Sequence, residues 1–258
     1  TLIFDSSNYE LKLNDDKESI ELKCDSNTIQ LEIPNESEVI LINGKNNKVQ
    51  VTILNIKKVR NMKGETMKKV VKFGGSSLAS AEQFKKVGNI IKADEDRKYV
   101  VPSAPGKRFS ADTKVTDMLY QCYGEAEAGK DFTNTLNKIK DRYNEIIKGL
   151  KLDLSLDDEF VTIENQFKAK AGSDYAASRG EYLNGIIMAN YLGYEFIDAA
   201  TVIFFNNKGE FDADTTQEIL SAKLANIERA VIPGFYGARP DGVVKTFSRG
   251  GSDVTGSI

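Results

Sequence analysis

From Val70 onward, short apolar runs alternate with longer segments whose apolar residues recur every three or four positions, which predicts an α/β fold with a mainly parallel sheet. Val70 to Phe73 reads as the first strand, feeding a helix opened by the capping box Ser80-Ala81-Glu82-Gln83, with Phe84, Val87 and Ile91 on one face. Lys98 to Val101 reads as a second buried strand. Helices are predicted over 113–128, with Val115, Met118, Leu119 and Cys122 inward, and over 131–148, with Phe132, Leu136, Ile139, Tyr143 and Ile147 inward and Gly149 as the stop. Two more follow over 157–169 and 174–192, the latter ended by Gly193. Strands then recur at Glu195 to Asp198, Val202 to Phe205 and Ala230 to Ile232, with a helix over 215–226 between the last two.

Residues 1–66 follow a different rule. Tyr9 to Leu13, Ile20 to Lys23 and Val49 to Leu54 alternate polar and apolar positions between Asn, Asp, Ser and Gly turns, the pattern of a β-meander. This leader is expected to be either an accessory β segment or an over-extended gene start, because Met67-Lys68-Lys69-Val70 resembles the opening of a chain whose first element is a strand. The expected division is therefore 1–66 as leader and 67–258 as the main domain. At the other end, Asp253 to Ile258 should form the first turns of a helix, so the gene is expected to continue in frame past Ile258.

Composition narrows the function classes. The chain has 258 residues, 40% hydrophobic and 28% charged, enough for a substantial core. A net charge of -3 argues against nucleic acid or an anionic membrane as the main partner, since both require a basic surface. No run approaches a membrane span, and Thr1 to Asp5 lacks the basic start of a signal peptide, so the expected compartment is the cytoplasm. Cys24 and Cys122 stand far apart and read as plain thiols. The chain has no histidine, which removes Ser-His-Asp and Cys-His catalysis, the usual zinc sites and a phosphohistidine intermediate. Phosphoryl transfer to a carboxylate fits that restriction, because such a nucleophile is already ionised near pH 7.

Two glycine runs carry candidate chemistry. Lys72-Phe73-Gly74-Gly75-Ser76-Ser77 follows a strand and opens a helix; it reads as a phosphate cradle or as a tight strand-to-helix turn. It is neither a Walker motif nor a GxGxxG fingerprint. Thr246-Phe247-Ser248-Arg249-Gly250-Gly251-Ser252-Asp253 sets a guanidinium beside glycines, suited to bidentate contact with a carboxylate, and Asp253 also suits a helix first turn. In Ser178-Arg179-Gly180-Glu181 the glycine costs a helix about 1 kcal/mol and so marks close backbone approach. Glu181 is then a candidate to receive a substrate ammonium, or a solvated helix carboxylate. The strand end Val101-Pro102-Ser103-Ala104 leads into a polar loop, where Ser103 and Thr116 are candidate hydroxyl donors and Lys107 and Arg108 read either as ligand contacts or as a solvated loop tip.

Taken with Phe196-Ile197-Asp198-Ala199 and Val231-Ile232-Pro233-Gly234-Phe235, these motifs resemble those of the aspartokinases, within the amino acid kinase family, over about residues 67–258. The resemblance implies a three-layer αβα sandwich, here incomplete, and transfer of the ATP γ-phosphoryl group to the side-chain carboxylate of L-aspartate. It implies that Lys72, with Phe73, Gly74, Gly75 and Ser76, holds transferring phosphate oxygens, and that Asp253 orients Lys72. Arg249 would clamp the aspartate α-carboxylate and Glu181 its ammonium, with Ser103, Thr116, Gly250 and Ser252 lining the pocket. ATP and Mg2+ are the implied cofactors, no metal site is expected from protein ligands alone, and the full-length protein is expected to be a homo-oligomer. The loop from Pro105 to Thr113 is longer than in many members, and the leader has no counterpart among them. The adenine contacts and the paired regulatory domains of the family lie beyond Ile258, so the chain alone is expected to have little kinase activity. The alternatives are a kinase acting on glutamate, acetylglutamate, carbamate or a nucleoside monophosphate, or a nucleotide-sensing module without catalysis.

Overall fold

The computed structural model describes residues 68–248 and 250–258 with their side chains, and residues 2–5, 9–13, 19–24, 27–32, 39–45, 48–53 and 59–61 by their backbone. Met67, Arg249 and the Cys24 side chain lie outside the described residues. The chain separates into two units, Thr1–Lys68 and Lys69–Ile258.

The first unit holds seven described strands: β1 (Leu2–Asp5), β2 (Tyr9–Leu13), β3 (Ser19–Cys24), β4 (Asn27–Glu32), β5 (Val39–Lys45), β6 (Lys48–Ile53) and β7 (Val59–Asn61). They form two antiparallel sheets, β1-β6-β5 and β2-β3-β4-β7. Single-residue alternation along β2 and β3 is what such ladders require, since successive side chains point to opposite faces.

In the second unit, β8 (Lys69–Phe73), β9 (Arg97–Pro102), β10 (Glu195–Phe196) and β11 (Ala230–Val231) form a fully parallel sheet in the order β10-β11-β9-β8. The helices are α1 (Ala81–Lys92), α2 (Val115–Glu127), α3 (Thr133–Leu150), α4 (Asp157–Lys168), α5 (Ser173–Leu192), α6 (Ala213–Leu224) and α7 (Gly251–Ser257). An antiparallel hairpin, β12 (Tyr236–Ala238) with β13 (Val244–Thr246), precedes α7. Strand alternation sorts the core onto two faces. Val100 and Val231 point into a core shared with α1 to α5, whereas Tyr99, Ala230 and Ile232 point into a second one with Ile197, Ile203, Tyr236, Leu220 of α6 and Ile258. The sheet therefore lies between two covering layers.

Most predicted elements are present within a few residues of their expected bounds; two differ for identifiable reasons. Val202 to Phe205 is apolar and mostly buried but forms only isolated bridges, Phe204 to Ala238 and Phe205 to Phe211. Asp198 caps a 3-10 turn over Ala199–Thr201, and the following amides go elsewhere: Ile203 N–H to the Ala199 carbonyl and Phe204 N–H to the Thr216 hydroxyl. Val202 N–H likewise donates to the Ala199 carbonyl, so only Phe205 N–H, which donates to the Ala238 carbonyl at 2.9 Å, reaches a strand, too little to make a ladder. Nor does Gly149 stop α3, which continues to Leu150 and ends on Lys151 in the left-handed conformation, φ 58°. A Cβ on Gly149 would lie 2.5 Å from the Ala81 Cβ, so this glycine exists for the close packing of α1 on α3.

Candidate active site

The first glycine run begins where β8 ends. Phe73 is committed to the fold: its carbonyl accepts from Ser103 N–H at 3.0 Å and its ring packs on the helical core. Gly74 is extended, and a 3-10 turn over Gly75–Leu78 follows, anchored by the fully buried Leu78. Gly75 is required for space, not for a special φ. A Cβ there would lie 2.7 Å from the Ala104 carbonyl oxygen, and one on Gly106 would lie 2.6 Å from the Gly75 carbonyl carbon. The two loops thus meet backbone to backbone, with Gly106 N–H donating to the Gly75 carbonyl at 2.8 Å.

Beside this contact opens a cleft of about 430 Å³ whose walls include Gly75, Ser76, Ser103, Lys114, Thr116 and Glu181. Its far wall is α5. A Cβ on Gly180 would sit 2.7 Å from the Ala104 Cβ and 3.3 Å from Leu119 Cδ1, so the glycine lets α5 approach the end of β9 and the side of α2. One residue on, Glu181 is 6% exposed and its Oε2 has no hydrogen-bond partner. Burial raises its pKa to about 8, against the opposing pull of the Ala104 and Glu181 backbone amides and of Arg179. Asn184, one turn later, donates to the Ser103 carbonyl at 2.6 Å and fixes the strand end.

The second run arrives from β13, which Asp174 ties to the first turn of α5 through Lys245 Nζ at 2.7 Å and Thr246 Oγ1 at 2.6 Å. Gly250 then takes the left-handed conformation, φ 60°, ahead of α7. Ser252 is buried against Gly234, where a Cβ would lie 2.6 Å from the Ser252 Cα, and Thr255 Oγ1 accepts from Phe235 N–H at 3.2 Å. These contacts lay α7 across β8. Gly256 faces the Lys72 Cβ, and Asp253 Oδ1 meets Lys72 Nζ at 2.9 Å. The Asp253 side chain is 70% exposed, so the pair adds little stability, and its value lies in orienting the ammonium.

A lysine held by a carboxylate beside one glycine run, and a buried, half-satisfied glutamate in the adjoining cleft, are the features of a site for anionic and ammonium-bearing ligands. The model of the amino acid kinase family matches residues 67–258. The chain belongs to this family. It is 37% identical over 209 residues to aspartokinase 3 of Bacillus subtilis (strain 168), covering 74% of the chain and 45% of that relative. The crystal structure of aspartate kinase from Clostridium acetobutylicum matches with a TM-score of 0.71 and 53% identity, over 73% of the chain and 43% of that protein. Aspartokinase III of E. coli, solved with aspartate and ADP, shares the fold at a TM-score of 0.60 and 24% identity, over 72% of the chain and 44% of its own. The chain spans less than half the length of these relatives.

Within this family member, Ser76, Ser103, Thr116 and Glu181 share one cleft and Lys72 pairs with Asp253. Ser252 is turned into packing against Gly234 and Phe73 into the core. Sequence reasoning missed Gly106, Asn184 and Arg142, which shape the cleft without a motif around them. Arg142 did leave a signal: it falls at helical spacing among the inward residues Ile139, Tyr143 and Ile146 of α3, where a charge is out of place.

Proposed function

We propose that this chain forms the acceptor and phosphoryl-holding part of an aspartate kinase, which transfers the γ-phosphoryl group of ATP to the side-chain carboxylate of L-aspartate and yields 4-phospho-L-aspartate, an early step toward lysine, threonine and methionine. The observation that carries this reading is Glu181: a buried carboxylate with an unpartnered oxygen, in a cleft that shares Gly75 and Ser76 with the glycine run of Lys72. The 37% and 53% identities to an aspartokinase and an aspartate kinase support it.

In this reading Glu181 accepts the α-ammonium of aspartate on its free oxygen, and Ser103 and Thr116 offer hydroxyls to the same ligand. Arg249, next to Gly250 in the second run, is assigned the α-carboxylate, which a guanidinium fork can bind bidentately. With both α-substituents held, the β-carboxylate points away toward the first glycine run. It is ionised near pH 7 and needs no general base. Lys72, oriented by Asp253, acts with the backbone amides of Gly74, Gly75 and Ser76 to neutralise charge on the transferring phosphoryl group. Phe73 contributes backbone only. Mg2+ fits as an ion carried by the nucleotide phosphates: among the described residues no group of three or more His, Cys, Asp or Glu side chains is placed to cage a cation, and magnesium commonly binds through substrate phosphates.

The catalytic domain in this reading is 67–258, preceded by an accessory β segment at 1–66, in a cytoplasmic homo-oligomer without nucleic-acid or membrane partners. No helix among the described residues is long and apolar enough to cross a membrane. Hydroxylamine trapping of the acyl phosphate tests the substrate: the intact enzyme should form the hydroxamate from aspartate and ATP but not from glutamate. Equal trapping with glutamate, or none with aspartate, overturns the reading.

A further inference from the structure

Two neighbouring residues of α3 carry buried polar groups that no step of the proposed reaction uses. Arg142 is 3% exposed; its Nη2 donates to the carbonyls of Gly106 at 2.7 Å and Ala79 at 3.1 Å, and its Nη1 donates to Asp112 at 2.6 Å. Asp112 also accepts from the backbone and side chain of Arg108, each at 2.9 Å, and Arg108 reaches back to Glu145 of α3 at 2.8 Å. Bonds from Arg108 and then Arg142 hold the Asp112 carboxyl far below the usual carboxylate range, so it stays charged. Tyr143, fully buried, donates to the Gly180 carbonyl at 2.7 Å.

A guanidinium taken out of water is costly, and core filling alone would be served by an apolar side chain. Arg142 instead directs two of its three bonds at one loop, to the Gly106 carbonyl and the Asp112 carboxylate, and the third at the Ala79 carbonyl ahead of α1. The Gly106 peptide is gripped from both sides, its carbonyl by Arg142 and its amide by the Gly75 carbonyl. Tyr143 meanwhile bonds the carbonyl next to Glu181. Adjacent residues of one helix therefore bond the backbone of two segments that line the cleft, the loop at Gly106 and α5 beside Glu181.

We propose that Arg142 is a positioning residue: through Gly106 and Asp112 it holds the loop of residues 105–112 against the first glycine run, while Tyr143 holds α5 at Gly180, so that α3 sets the distance between the loop wall and Glu181. The kinetic arm of the test rests on the cleft being the aspartate pocket; the exchange arm does not. In the intact enzyme, Arg142→Lys should speed amide hydrogen exchange over residues 103–114 by at least about tenfold, with the exchange of β9 unchanged. It should also raise the aspartate KM by about tenfold, with a smaller rise in the ATP KM passed on through the Gly106 bond to Gly75. Tyr143→Phe should raise the aspartate KM without affecting loop exchange. If Arg142→Lys does not fold, Asp112→Asn serves in its place, with a smaller shift of the same sign. Loop exchange equal to that of the unsubstituted enzyme overturns the proposal, as does an equal rise of both KM values, which marks a merely structural role. An enzyme that never turns over aspartate defeats the functional reading, and loop exchange still decides the role of Arg142.

Discussion

Glu181 concentrates the chemistry of the cleft. A carboxyl with a pKa of about 8 holds a proton near neutrality, yet an ammonium ligand needs the ionised form. Aspartate binding should therefore expel that proton. Calorimetry at pH 7 in buffers of different ionisation enthalpy is expected to find close to one proton released per aspartate, and the aspartate KM should fall as pH rises toward about 8. The same shift acts on stability. The folded state binds the proton more tightly than the unfolded state, so this contribution is complete below the ordinary glutamate value of 4.5 and is lost as pH climbs through about 8. Glu181→Gln should flatten that decline in denaturant melts between pH 5 and 8.5, and should abolish the proton release. The sequence marked Glu181 through its neighbour, since a glycine inside a helix announces close approach. It did not reveal that the carboxylate is buried with an open oxygen, because burial depends on α2 and the end of β9, distant in the chain.

At the scale of elements, glycines decide how closely the helices pack, and two of them make a matched test. Alanine at Gly149 would drive a Cβ to 2.5 Å from Ala81, and at Gly180 to 2.7 Å from Ala104. Each change gains about 1 kcal/mol of helix propensity, and overpacking should outweigh it by about 1–2 kcal/mol in chemical denaturation. Their effects on function should separate. Gly149→Ala strains the α1–α3 contact at Ala81 and lines no part of the cleft, whereas Gly180→Ala pushes Ala104 and approaches the Thr116 hydroxyl, so Gly180→Ala should raise the aspartate KM by about tenfold or more and Gly149→Ala by much less. Long, strongly periodic helices were legible within a few residues. The β12–β13 hairpin was not, for its three-residue strands carry too little alternation to register. Val202 to Phe205 was misread for the converse reason: it has a strand's composition, but three of its four amides find partners outside a ladder.

For the whole molecule, the decisive arrangement is the laying of α7 across β8, which joins Lys72 to Asp253 across most of the length of the second unit. If the neighbouring cleft beside Gly75 and Glu181 is the acceptor pocket, aspartate should stabilise the protein by mass action. At about 100 times its Kd the gain is about 2.7 kcal/mol, or roughly 5–10 °C in the Tm of a domain this size, and glutamate at equal concentration should give much less. A thermal melt with each amino acid measures this directly. The sequence by itself determined the α/β alternation, the two glycine runs and the exclusion of histidine chemistry, because periodicity, turn residues and absences are local properties of the chain. Only the tertiary structure decided that Gly75 and Gly106 lock together, that Glu181 is buried with an open oxygen, and that Arg142 leaves an apolar helix face to grip a loop. Those are contacts between residues far apart in sequence, and the space and partners each group finds there exist only once the sheet and its covering helices have packed.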